Sequence, residues 1–180
     1  MKNITRRIVW AIVVVLILII LLAMQFTNEV QWNEAVAYGV LLMMAGGFYE
    51  LWQWLKTRTR VYRIAFGVGL AGMLFLGWVS GAVGIIGSEN QPVNLIYWAV
   101  PATLLTGALI SRFKSGGMAR TLFVTALIQV LIPVVALIIS PEVSWGNAGV
   151  IGVFVVNSFF AVLFAGSAFC FYLEGQGGHR

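Results

Sequence analysis

The chain has 180 residues, of which 61% are apolar and only 9% charged, with a net charge of +5; its mean hydropathy is +0.95. A water-soluble fold of that length has no interior large enough for so much apolar surface, so the composition excludes a soluble globule and predicts an all-α integral membrane protein. There is no Asp, one His (His179) and one Cys (Cys170). That inventory excludes an internal disulfide, a paired-Cys redox or zinc site, bis-His haem ligation and a Ser-His-Asp triad, so no catalytic residue, metal or cofactor is expected.

Six apolar stretches follow one another along the chain. Span 1, residues 8–26, comes after Lys2, Arg6 and Arg7. Its apolar run is longer than the ~7–15 residues of a signal-peptide core and no small-residue cleavage site follows, so a retained anchor is expected. From Val13 to Leu22 it holds only Val, Ile and Leu, which suits a lipid-facing helix. Span 2, residues 35–55, contains Glu50, the single carboxylate clearly inside a span. An ionisable group there is either a proton or cation site or half of an ion pair. About 9 Å of helix separates it from Lys56, so Lys56, Arg63 and Arg112 are its expected partners at the interface.

Span 3, residues 64–86, is glycine-rich, and its Gly77-x-x-x-Gly81 and Ser80-x-x-x-Gly84 spacings are close-packing patterns. The polar turn from Gly87 to Asn94 breaks the helix, and Asn94 is a reasonable N-cap for its restart. Span 4, residues 94–112, offers a ridge of small residues at Ala99, Thr103, Gly107 and Ser111, so spans 3 and 4 are expected at the bundle centre. Pro101 is expected to interrupt this helix by freeing the Tyr97 carbonyl, and Pro133 to free that of Gln129, giving either a kink or a solute ligand. Span 5, residues 119–139, and span 6, residues 148–173, carry Gln129 and Asn157 near their midplanes. Amides in lipid need partners, so these two are expected to bond each other or Thr103, Thr106 and Thr125; solute binding is the alternative. Cys170 reads as a small packing residue.

All 11 basic residues fall on one side if six spans alternate and the chain starts in the cytoplasm. The opposite loops hold Glu29, Glu34, Glu89 and Glu142 and no Lys or Arg. The expectation is therefore a six-helix bundle with both termini cytoplasmic, forming a single transmembrane domain over residues 1–180. The positive charge then reflects topology and attraction to anionic lipid head groups at the cytoplasmic face, not nucleic acid. Trp32 and Trp145 sit at outer span ends and Trp10, Trp52 and Trp54 at inner ones, as in an aromatic belt. The outer carboxylates suit Ca²⁺ or Mg²⁺ if they converge, and are ordinary solvated surface if they do not.

At an offset of 113 residues the segment Glu29-Val30-x-Trp32-x-x-Ala35-x-x-x-Gly39-Val40 is echoed by Glu142-Val143-x-Trp145-x-x-Ala148-x-x-x-Gly152-Val153, and Arg7 by Arg120. Spans 1–2 and 5–6 could then be duplicated hairpins, a common device in transporters; the alternative is that outer loops favour Glu and Trp anyway.

The run Met24-Gln25-Phe26-Thr27-Asn28-Glu29-Val30-Gln31-Trp32 resembles a motif near the N-terminus of a family of small uncharacterised bacterial membrane proteins. Ala82-Val83-Gly84-Ile85-Ile86-Gly87-Ser88-Glu89-Asn90, followed by Asn94-Leu95-Ile96-Tyr97, is similar to their second motif. The resemblance covers about a fifth of the chain and implies a bacterial inner-membrane setting, with no activity attached. The expected role is a non-enzymatic scaffold or accessory subunit of a membrane assembly, with other subunits or further copies of itself as partners. A small channel or carrier for a cation or small solute is the alternative, and a membrane enzyme on a lipid substrate, using Glu50 with inner Arg residues or the outer carboxylates with a metal, is a third. The positions singled out are Glu50, Glu29, Trp32, Glu89, Asn94, Gln129, Glu142, Trp145 and Asn157.

Overall fold

In a computed structural model, which describes residues 2–26, 32–88, 90–140, 145–146 and 149–177, all regular structure is helical. Six α-helices overlie the six apolar stretches: α1 (Lys2–Phe26), α2 (Trp32–Leu55), α3 (Arg60–Ala82), α4 (Ala99–Ile110), α5 (Ser115–Ile139) and α6 (Gly149–Gly177). A 3₁₀ helix, Pro92–Trp98, leads directly into α4. Helix is the expected outcome where no water is present to satisfy backbone N–H and C=O groups. Among the described residues α3, the continuous 3₁₀–α4 segment Pro92–Ile110, α5 and α6 are each long and apolar enough to cross a membrane.

The helices group into two compact units, Met1–Arg58 and Thr59–Arg180. The first is a hairpin of α1 and α2. Its antiparallel register is set by Trp10 against Gly46, where a Cβ would stand 3.2 Å from the indole, and by Arg6 against Glu50 one turn further on.

In the second unit α5 and α6 share the most extensive interface, α3 lies on α6, and α4 lies on α5. The pairings are antiparallel. Ser167 of α6 donates to the Ala65 carbonyl of α3 at 2.7 Å, and Gly107 of α4 sits so close to Thr121 of α5 that a Cβ there would collide with it. The centre is thus α5 and α6, not spans 3 and 4 as their small residues suggested. Only part of α3's glycine face is used: Gly69 and Gly72 meet Ser167 and Phe164 of α6, whereas Gly77 and Gly81 have open space beside them. The α4 ridge does pack closely, but on α5.

One end of this unit is locked by aromatic and backbone contacts. Thr59 caps α3 by accepting from the Tyr62 N–H at 3.1 Å. The buried Tyr62 hydroxyl donates to the Phe113 carbonyl at 2.7 Å, and its ring meets Phe171 edge-on at 4.9 Å. That bond holds the α4–α5 turn, where Arg112 and Phe113 adopt the left-handed backbone region at φ 50° and 57°. Two such non-glycine residues cost about 1–3 kcal/mol each and persist only where the surroundings fix them. Arg60, Arg63, Arg112, Lys114 and Arg120 all lie in helix starts and turns at this basic end.

At the opposite end Gly146, with φ +64°, passes so near Gly87 that a Cβ would stand 3.0 Å from the Gly87 carbonyl oxygen. Only glycine fits both the backbone angle and the approach. Proline behaves differently from expectation at one of its two sites. Pro133 lies inside a continuous α5. Pro101 falls in the first turn of α4, immediately after the 3₁₀ helix. It therefore starts an α-helix, where proline is tolerated, instead of kinking one.

Candidate functional site

Polar side chains gather at two places, one in each unit. In the hairpin, Glu50 Oε1 accepts from Arg6 Nε at 2.6 Å and from Trp10 Nε1 at 2.7 Å. The ion pair expected of Glu50 exists, but its partner is Arg6 of α1, not Lys56, Arg63 or Arg112. Lys56 instead stands 5.6 Å from the centre of the Trp52 ring on its own helix. The antiparallel register explains the choice, because it carries the start of α1 alongside the last two turns of α2. Trp10, which the sequence suggests as a simple interface anchor, is a hydrogen-bond donor to the carboxylate and packs on Gly46.

In the four-helix unit, Gln129 Nε2 donates to Asn157 Oδ1 at 2.9 Å. Asn157 Nδ2 donates in turn to the Tyr97 hydroxyl and to the Val153 carbonyl, each at 2.8 Å. The three side chains are 0%, 1% and 3% exposed. The Val153 carbonyl can only accept, so it fixes which end of the Asn157 amide is nitrogen, and that in turn fixes Gln129. The chain of bonds has two loose ends. Gln129 Oε1 is buried without a donor, and the Tyr97 O–H proton has no acceptor among the described residues. The threonines do not join this network: Thr125 bonds the Thr121 carbonyl and Thr106 that of Ala102, each one turn back on its own helix. Tyr97 was not among the expected partners. The 3₁₀ helix makes it one, because it seats the ring of the fourth segment against α6.

Tyr97 also lines a cavity of about 360 Å³ between α3 and the 3₁₀–α4 segment. Its walls are mostly apolar (Leu76, Leu95, Trp98), with the open glycines Gly77 and Gly81 forming the α3 side. Ser80, Gln91 and Asn94 are the other polar groups on it, and no charged side chain lines it among the described residues.

Asn94 has a structural task different from the capping expected of it. The 3₁₀ helix begins at Pro92 with Gln91 at its N-cap. Asn94, buried one turn inside, accepts from the Ile86 N–H at 3.0 Å and donates to the Ile86 and Ser88 carbonyls at 3.1 and 2.7 Å. It clamps the turn between α3 and the 3₁₀ helix, and is itself on the cavity wall. Trp145 is half-buried beside Gly146. Glu29, Glu89 and Glu142 lie outside the described residues, as does the Trp32 side chain. Among the described residues no group of three His, Cys, Asp or Glu side chains could hold a metal ion.

No protein-family model matches the chain, and neither a curated protein nor a solved structure is significantly similar to it. What the fold defines is a helical membrane protein, and its chemistry has to be argued from these two polar clusters and the cavity.

Proposed function

We propose that the chain is a six-span protein of the bacterial inner membrane, with both termini in the cytoplasm, and that it serves as a non-enzymatic scaffold or accessory subunit of a membrane assembly. The gathering of basic residues at one end of the second unit supports this orientation through the positive-inside rule. The observation that carries the scaffold reading is the apolar surface of the α1–α2 hairpin, which is a compact unit of its own. Two helices alone cannot bury their faces, and Ile8, Ile12, Met43, Phe48 and Trp52 are all more than half or about half exposed. On α2 no atom of the hairpin comes within 4 Å of where a Cβ would stand on Gly39 or Gly47. Small residues at such spacing let another helix approach closely. Anionic lipids at the basic end complete the expected surroundings.

The test is gentle extraction followed by native mass spectrometry. A stoichiometric foreign subunit, lost when Gly39 and Gly47 are both replaced by Leu, is the expected result. A lone chain or a homo-oligomer overturns the accessory reading. The cavity beside Tyr97 favours a second reading, a small carrier, which predicts solute flux in proteoliposomes that falls in Asn157→Ala. Duplication of the 1–2 and 5–6 hairpins would fit either role.

A further inference from the structure

The buried hydrogen-bond chain has a direction. Gln129 donates to Asn157, and Asn157 donates to Tyr97, so at the Tyr97 end of the chain the hydroxyl proton is left to give. No described group accepts it, although Gln129 Oε1 lies unpaired in the same cluster, and the residue is only 3% exposed. A buried donor without an acceptor is costly, and a Tyr hydroxyl in an apolar setting usually finds one. Tyr97 is also the residue shared between this chain and the cavity wall.

The rest of the wall narrows the chemistry of what can lie there. Ser80 and Gln91 are both half-exposed, and their side chains make no hydrogen bond among the described residues. Asn94 faces the same space, but its amide is fully engaged with Ile86 and Ser88. Apolar contacts come from Met73, Leu76, Leu95 and Trp98. A charged group would be desolvated against this wall with no charge among the described residues to pair it, which disfavours it. A purely apolar chain would leave the Tyr97 proton unsatisfied. The volume of about 360 Å³ is at the small end of ligand cavities.

We propose that this cavity binds an uncharged membrane amphiphile through a carbonyl, ester or ether oxygen that accepts the Tyr97 hydroxyl proton, with the apolar part of the molecule lying between α3 and α4. The reading requires only binding. It stands whether the protein is a scaffold or a carrier, and a failure of solute flux leaves it intact.

The test uses the full-length protein in detergent and three photoactivatable probes with the same diazirine-bearing decyl chain: a monoglyceride ester, a quaternary ammonium and the bare alkane. Saturable labelling is located by peptide mass spectrometry. The ester is expected to label the Met73–Gly81 and Leu95–Pro101 peptides, at least tenfold more tightly than the ammonium. Gly81→Leu fills the cavity and abolishes this labelling, while Gly67→Leu, another open glycine on α3 away from the cavity, leaves it unchanged. Tyr97→Phe weakens the ester by about fivefold, the worth of one neutral hydrogen bond, and leaves the alkane unaffected. Melting temperatures of the variants confirm that each is folded. Equal labelling by ester and ammonium, persistence in Gly81→Leu, or equal ester affinity in Tyr97→Phe overturns the proposal.

Discussion

Asn157 is the side chain on which the interior of the second unit turns. It makes three hydrogen bonds, to Gln129, Tyr97 and the Val153 carbonyl, and its removal leaves two buried donors or acceptors without partners. Interhelical bonds in membranes are worth about 0.6 kcal/mol each on average, so Asn157→Ala is expected to cost about 1–2 kcal/mol, read as a lower melting temperature in detergent. Tyr97→Phe removes one bond and should cost less than half as much. Gln129→Met is expected to cost less than Asn157→Ala, because it removes the orphaned Oε1 while leaving only Asn157 Oδ1 without its donor. In the hairpin, Glu50→Gln keeps an oxygen for Trp10 but loses the charge facing Arg6. Arg6 is 63% exposed, so the loss should hardly move the melting temperature. A large fall in an assayed activity without a matching fall in stability would instead mark Glu50 as a proton or cation site.

At the scale of helices the glycines separate into those that touch and those that do not. Gly107→Ala drives a methyl into Thr121 and is expected to destabilise by about 1–3 kcal/mol, as overpacking does. Gly77→Ala and Gly81→Ala meet nothing and should be neutral or slightly stabilising, since alanine is the better helix former. Thermal melts of the three variants decide this. The contrast also shows where sequence reasoning ran out. Hydropathy located every helix to within a few residues, because a backbone in lipid has no other stable form. Polarity at the midplane was likewise enough to pair Gln129 with Asn157. Spacing alone could not say that Gly69 and Gly72 would be the contact glycines of α3 while Gly77 and Gly81 would wall a cavity. That depends on which face α6 meets, and Ser167 settles it from the other side of the interface. Nor could the sequence show that Asn94 would clamp a turn, since capping and clamping use the same amide and differ only in where the helix begins. The Glu50 partner was missed for a related reason. The register of α1 on α2 is read from Trp10 on Gly46, and Trp10 looked like an interface residue.

For the molecule as a whole, the orientation is the most direct matter to check. In a Cys170→Ser background, a cysteine at Ser88 should react with a membrane-impermeant maleimide in intact cells. Cysteines at Thr57 and Gly116 should react only after the membrane is opened. The reverse pattern would invert the proposed topology. The 113-residue echo bears on the molecule's history more than on its mechanism. At that offset Arg6, Trp10 and Glu50 correspond to Ala119, Phe123 and Leu163, while Gln129 and Asn157 correspond to Leu16 and Met44. If the two hairpins share an origin, each has kept a polar seam where the other is apolar, so no site in one can be inferred from the other.

The 3₁₀ helix before α4 has a consequence for the way α4 is set in the bilayer. The segment Pro92–Ile110 has 19 residues, which as a continuous α-helix would measure about 29 Å. A 3₁₀ turn rises about 2.0 Å per residue instead of 1.5 Å, so seven residues wound this way lengthen the segment to about 32 Å. The hydrocarbon layer is about 30 Å thick. Either length fits, so the tighter winding acts on rotation more than on reach: seven residues at about 120° each, instead of about 100°, turn α4 by roughly an extra 140° about its axis and so decide which of its faces carries Gly107 to α5.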